Sequence, residues 1–160
     1  MSYLIQNRKP ASVFRFFEDI CAIPHPSYHE ARVADYLEAF ARERGLWCYR
    51  DAVHNVLIKK PATKGLEQIP AVLFQGHTDM VGEKTADSTH DFATDGLKLK
   101  VDADGWISAT DTTLGGDDGI AVAMMLAILD SPPEPHPAIE CLFTVSECGI
   151  KYFYITHKNL

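Results

Sequence analysis

From Gly119 to Leu129 the chain has no polar side chain at all, and Ile120, Val122, Met124, Met125, Leu126 and Leu129 fall on every side of a helical projection. Such a run is longer than most strands, so it reads as a helix, and a helix apolar all round is one that the fold buries. No stretch reaches the roughly eighteen apolar residues of a membrane span. Burying this helix requires apolar layers around it, and the flanking sequence offers short runs rich in β-branched and aromatic residues.

Those runs are Leu46–Tyr49, Asn55–Ile58, Ala71–Gln75 and Ala138–Val145, each bounded by turn residues. Two more, Leu97–Val101 and Trp106–Ala109, flank Asp102-Ala103-Asp104-Gly105, which reads as a hairpin turn. Ahead of them, Val13, Phe16, Phe17, Ile20 and Cys21 lie at helical spacing, and that helix ends before Pro24. Ser27-Tyr28-His29-Glu30 has the form of a capping box, opening a helix with Val33, Tyr36, Leu37 and Phe40 on one face and its end at Gly45. Ser131 to Pro137 is a stiff Pro-rich linker, and no internal repeat is present. Helices alternating with apolar strands predict an α/β fold, a mixed β-sheet with flanking helices.

Composition narrows the function. The chain has 160 residues, 46% of them hydrophobic, and a net charge of -7, with no basic cluster of the kind that binds a phosphate backbone. Neither a nucleic acid nor a membrane is an expected partner. Residues 1–10 carry no apolar core of signal-peptide length, so a cytoplasmic protein is expected. Cys21, Cys48, Cys141 and Cys148 lack the paired spacing of a zinc ribbon or redox motif and read as reduced thiols.

Three segments carry residues suited to chemistry. His77-Thr78-Asp79 ends one strand-like run, Gly115-Gly116-Asp117-Asp118 opens the apolar helix, and Glu147 follows another strand. In open α/β sheets ligands bind beyond the carboxyl ends of strands, where helix N-termini also point, so these segments can share one crevice. His77 and Asp79, two apart in extended chain, suit a metal-binding imidazole with a carboxylate to orient it. Each segment alone has a plainer reading: a solvated loop, an N-cap with Asp117 or Asp118 bonding first-turn amides, an exposed carboxylate. His25, His29, His54, His90, His136 and His157, beside turns and charges, read as surface histidines.

Taken in order, Gly76-His77-Thr78-Asp79-Met80-Val81, Asp111 to Ile120 and Phe143-Thr144-Val145-Ser146-Glu147 closely resemble the aminoacyl-histidine (β-alanyl-histidine, or cytosol non-specific) dipeptidases, a branch of the two-zinc exopeptidases. Pro24-His25-Pro26-Ser27, His54-Asn55-Val56, Lys84-Thr85 and Asp104-Gly105-Trp106 extend the resemblance from about residue 11 to Glu147. It implies the N-terminal part of a zinc-exopeptidase catalytic domain and hydrolysis of dipeptides, of the Xaa-His or non-specific type. His77 matches a ligand of one zinc ion, Asp117 the carboxylate bridging two, Asp79 the acid supporting the histidine, and Glu147 the general base. In the family the peptide bond after the bridging Asp is commonly cis, here Asp117-Asp118.

The family carries two consecutive glutamates, base then zinc ligand, followed shortly by a glycine, where this chain has Glu147-Cys148-Gly149. Two registers therefore stay open: Glu147 as base with Cys148 at the ligand position, or Glu147 as the ligand. Residues 148–160 do not resemble the family's continuation. The further Asp and His ligands, and the lid domain through which family members dimerise, have no counterpart in this sequence. The expectation is a catalytic domain represented by residues 1–147, truncated, with a divergent tail and inactive alone. The alternatives are a non-catalytic isoform or fragment, and a part of an aminoacylase- or carboxypeptidase-type zinc hydrolase.

Overall fold

The computed structural model describes residues 3–5, 7–132 and 134–146. Its elements run α1 (Ala11–Cys21), α2 (Ala31–Glu43), β1 (Trp47–Arg50), β2 (Val56–Lys60), β3 (Val72–His77), β4 (Leu99–Val101), β5 (Ile107–Ala109), α3 (Gly116–Asp130) and β6 (Ile139–Thr144). Helical spacing places Phe16, Phe17, Ile20 and Cys21 of α1, and Val33, Leu37 and Phe40 of α2, on the buried faces. Gly45, with φ +63, ends α2 as the sequence predicts, since a left-handed residue there bends the chain out of the helix at no Cβ penalty.

β1, β2, β6 and β3 lie in that order in one mixed sheet, with β1–β2 and β2–β6 antiparallel and β3–β6 parallel. β4 and β5 form a separate hairpin whose turn uses Gly105 at φ +90. Alternation along β2 and β6 turns Val56, Ile58, Cys141 and Phe143 towards one core shared with all three helices. Cys21 and Cys141 are buried and Cys48 is half-buried, and all three are free thiols. Among the described residues no helix is long and apolar enough to cross a membrane.

Two local expectations fail for identifiable reasons. Ser27 does not cap α2: Glu30 occupies the N-cap position with no side-chain cap bond, and its carboxylate instead accepts the Tyr28 N–H at 2.8 Å. The Ser27 hydroxyl is engaged elsewhere, by Asp79. Nor is the apolar helix buried all round, because Ile120 and Met124, four residues apart on one stripe of α3, are 37% and 51% exposed. α1 and the sheet cover the rest of its surface. Val72, Leu73 and Val81, on and beyond the edge strand β3, are also exposed.

The end of β6 is fixed by a fully buried amide. Asn55 Oδ1 accepts the Val145 N–H at 2.9 Å, while its Nδ2 donates to Asp51 Oδ2 at 2.8 Å. Asn55→Ala empties a fully buried position and takes away the partner of the part-buried Val145 N–H at the exit of β6, so urea unfolding should show a loss of about 1–3 kcal/mol, against near neutrality for an exposed control such as Lys64→Ala.

Candidate metal centre

The parallel pairing of β3 with β6 sets His77 opposite Thr144, at the carboxyl ends of both strands. Beyond it the chain stays tied to β6, with Thr78 N–H and Thr78 Oγ1 both donating to the Thr144 carbonyl, at 2.7 and 3.0 Å. It then runs beside residues 25–27: Met80 N–H bonds the His25 carbonyl and Ser27 N–H bonds the Met80 carbonyl, each at 3.2 Å. Asp79 is held between these tracks, largely buried.

Above the strand ends lies the start of α3. Gly115 takes φ +69, the Asp117–Asp118 peptide bond is cis, and both aspartates depart from helical dihedrals. Neither caps the helix, so the plainer reading of Gly-Gly-Asp-Asp fails. The Asp117 side chain, 96% exposed, lies with Oδ1 3.1 Å from His77 Nε2. Gly76 permits this approach, because a Cβ there would sit 2.9 Å from Asp118 Oδ2.

His77 is thus held at both nitrogens: Nδ1 lies 3.0 Å from Asp79 Oδ1 and Nε2 faces Asp117. Burial opposes its charge, but the hydrogen bonds to Asp117 and Asp79, with the nearby charges of Asp79 and Asp118, outweigh that and raise its pKa above the ordinary value. Asp118 is also raised, chiefly by burial, against the opposing pull of His77. His25 is not a surface histidine. It is 3% exposed, its Nδ1 lies 2.5 Å from the Ile23 carbonyl, and burial depresses its pKa.

Three of the four site residues expected from sequence, His77, Asp79 and Asp117, therefore come together. Glu147, like Cys148 and His157, lies outside the described residues; β6 ends three positions before it. Among the described residues no group of three or more His, Cys, Asp or Glu side chains is gathered as a metal cage. That follows from the geometry, since Asp79 sits on the Nδ1 side of the ring and Asp117 on the Nε2 side. An imidazole nitrogen whose ring is held by a carboxylate, next to an exposed carboxylate, has the donor chemistry zinc takes, but two donors fall short of a closed site.

Sequence reasoning missed four participants. Ser27 was hidden by its capping-box pattern, His25 by its flanking prolines, and Asn55 by its place at a strand start. Gly76 carried a legible signal, a glycine inside a strand pattern marking close backbone approach.

No family model matches the chain. A search of curated proteins finds it 44% identical over 138 residues to the cytosol non-specific dipeptidase of Escherichia coli (strain K12), covering 86% of this chain and 28% of that protein. Among solved structures it superimposes on the aminoacylhistidine dipeptidase of Vibrio alginolyticus with TM-score 0.85 at 45% identity, over 89% of this chain and 29% of the other. A tripeptidase from Staphylococcus aureus matches with TM-score 0.67 at 22% identity, over 85% of this chain and 36% of the other, a likeness of fold alone. The fold is that of part of a peptidase catalytic domain. Within that class, the chain resembles the aminoacyl-histidine, or cytosol non-specific, dipeptidases, and it spans less than a third of the length of the Escherichia coli and Vibrio alginolyticus proteins.

The raised pKa of His77 fixes the sign of its linkage to stability. With the folded value above the unfolded one, the contribution is fully present below the unfolded pKa and is lost as pH rises through the folded value. With chelator present, NMR titration of the His77 ring should give a midpoint above that of a histidine peptide, and Asp117→Asn should lower it. An unshifted midpoint in the unsubstituted protein would contradict the geometry.

Proposed function

We propose that this sequence supplies one face of the active site of a zinc-dependent dipeptidase, with His77 and Asp117 as metal ligands, Asp79 holding the His77 ring and Glu147 as acid–base residue. The observation that carries the reading is His77 Nε2, 3.1 Å from Asp117 Oδ1, on a ring whose other nitrogen is 3.0 Å from a buried carboxylate. Bound zinc would supply Lewis-acid polarisation of the scissile carbonyl and a more acidic water. The chain's own residues do the rest: Asp79 accepts a hydrogen bond from His77 Nδ1–H, which keeps the lone pair of the neutral ring on Nε2, and Asp117 presents an exposed carboxylate beside it. Glu147 takes the proton of the attacking water and returns it to the leaving amine, if the first of the two registers at Glu147-Cys148 applies; in the second, Glu147 is a ligand.

The resemblance to the two dipeptidases supports dipeptides as substrate and a cytoplasmic setting, with neither nucleic acid nor membrane as partner. On this reading residues 1–147 belong to the catalytic domain, residues 148–160 diverge from it, and the two described donors hold metal weakly without further ligands. A second reading, that the chain acts bound to another polypeptide rather than as a catalyst, is favoured by the exposed Leu73, Ile120 and Met124. In sedimentation it predicts concentration-dependent association that Leu73→Lys weakens, and a monomer at all concentrations counts against it.

The catalytic reading is tested by titrating the purified chain with zinc while following release of amino acid from β-alanyl-histidine and simple dipeptides. Weak, saturable binding is expected, reduced at least tenfold by His77→Ala and by Asp117→Ala, with no turnover above the His77→Ala control. Zinc binding indifferent to both substitutions would refute the assigned ligands; turnover above the control would refute the inactivity of this chain alone.

A further inference from the structure

Ser27 opens a capping-box pattern in the sequence, yet its hydroxyl serves the site instead. Its Oγ lies 2.5 Å from Asp79 Oδ2 and 3.4 Å from the Met80 carbonyl, and with one proton to donate it goes to the nearer, charged acceptor. Asp79 Oδ1 is left for His77 Nδ1. Among the described residues the buried carboxylate therefore has one side-chain donor per oxygen: Ser27 on one, His77 on the other. The paired Met80–His25 and Ser27–Met80 backbone hydrogen bonds place the Ser27 Cα and Cβ beside Asp79, so one rotamer brings the hydroxyl to the carboxylate.

We propose that Ser27 is a positioning residue that locks the Asp79 carboxylate, and through it the Nδ1-protonated tautomer and orientation of the neutral His77 ring, so that the Nε2 lone pair opens on the space beside the Asp117 carboxylate, where a cation would take both. This rests on the reading of His77 as a metal ligand but concerns the ring itself. Without the Ser27 hydroxyl, Asp79 Oδ2 is buried with no described donor, and the carboxylate turns to share or exchange its oxygens at Nδ1. The imidazole then loses its single arrangement. Asp79, one hydrogen bond removed from the ligand, is a partner of the kind whose loss typically changes metal affinity by about 10–100-fold, and Ser27, one bond further out, acts through it with a smaller effect.

The test is the long-range 15N–1H NMR spectrum of the His77 ring, in the full chain with chelator, at a pH where the ring is neutral. The unsubstituted protein should show a pyrrole-like Nδ1 and a pyridine-like Nε2. Ser27→Ala should draw the two nitrogen shifts towards each other, and Ser27→Thr, which keeps the hydroxyl, should restore them. Zinc affinity, measured in parallel, should fall in Ser27→Ala by less than the roughly 10–100-fold that loss of the direct partner Asp79 gives, and recover in Ser27→Thr. A Ser27→Ala spectrum with unchanged His77 nitrogens, or a Ser27→Thr spectrum as altered as Ser27→Ala, overturns the proposal. If the unsubstituted protein binds no zinc while the shifts respond as stated, the metal reading fails and the role of Ser27 stands.

Discussion

The parallel pairing of β3 and β6 is the constraint on which the site depends. Its register places His77 beside Thr144, and the Thr78 bonds to the Thr144 carbonyl carry the pairing one residue past the strand end. A slip of one residue would turn His77 to the opposite face of the sheet and put its neighbour in its place. The pairing joins segments more than sixty residues apart, so nothing local enforces it. What enforces it is burial: Ile139, Cys141 and Phe143 must face the helices, and Asn55 clamps the far end through Val145.

Around that pairing the other elements act as positioning devices. Gly76 keeps the strand bare enough for Asp118 to lie against it, which brings the first turn of α3 down over His77. Residues 25–27 form a second rail along residues 79–80, so that a carboxylate, a hydroxyl and an imidazole line up as Ser27, Asp79, His77. Burial and charge then divide the titratable groups: His25 is depressed by burial, which outweighs its bond to the Ile23 carbonyl and the nearby Asp79 charge, whereas His77, held by two carboxylates, is raised. The same scaffold therefore shifts two histidines in opposite directions.

Much of this was legible in the sequence because local periodicity and tertiary burial agree. Phe16, Phe17 and Ile20 repeat at helical spacing and are buried together; Val56, Ile58, Cys141 and Phe143 alternate and share one face. His77 and Asp79 were readable for the same reason, since two residues at a strand end share a side. What escaped were residues whose role is decided by a distant partner. Ser27-x-x-Glu30 satisfies a local capping rule, but Asp79, fifty-two positions away, is a charged acceptor that holds the Ser27 hydroxyl away from the helix N–H groups it would accept from as a cap, and the local rule gives way. Ile120 and Met124 escaped for a related reason, since composition shows that a helix is apolar but not which stripe its neighbours leave bare.

The central claim is that this fold aims His77 Nε2 and the Asp117 carboxylate at one metal ion. X-ray absorption at the zinc edge of the loaded chain tests it directly. The account predicts a shell of nitrogen and oxygen at about 2.0–2.2 Å with the multiple-scattering pattern of one imidazole. That pattern should vanish in His77→Ala. An imidazole signal that survives the removal of His77 would contradict it.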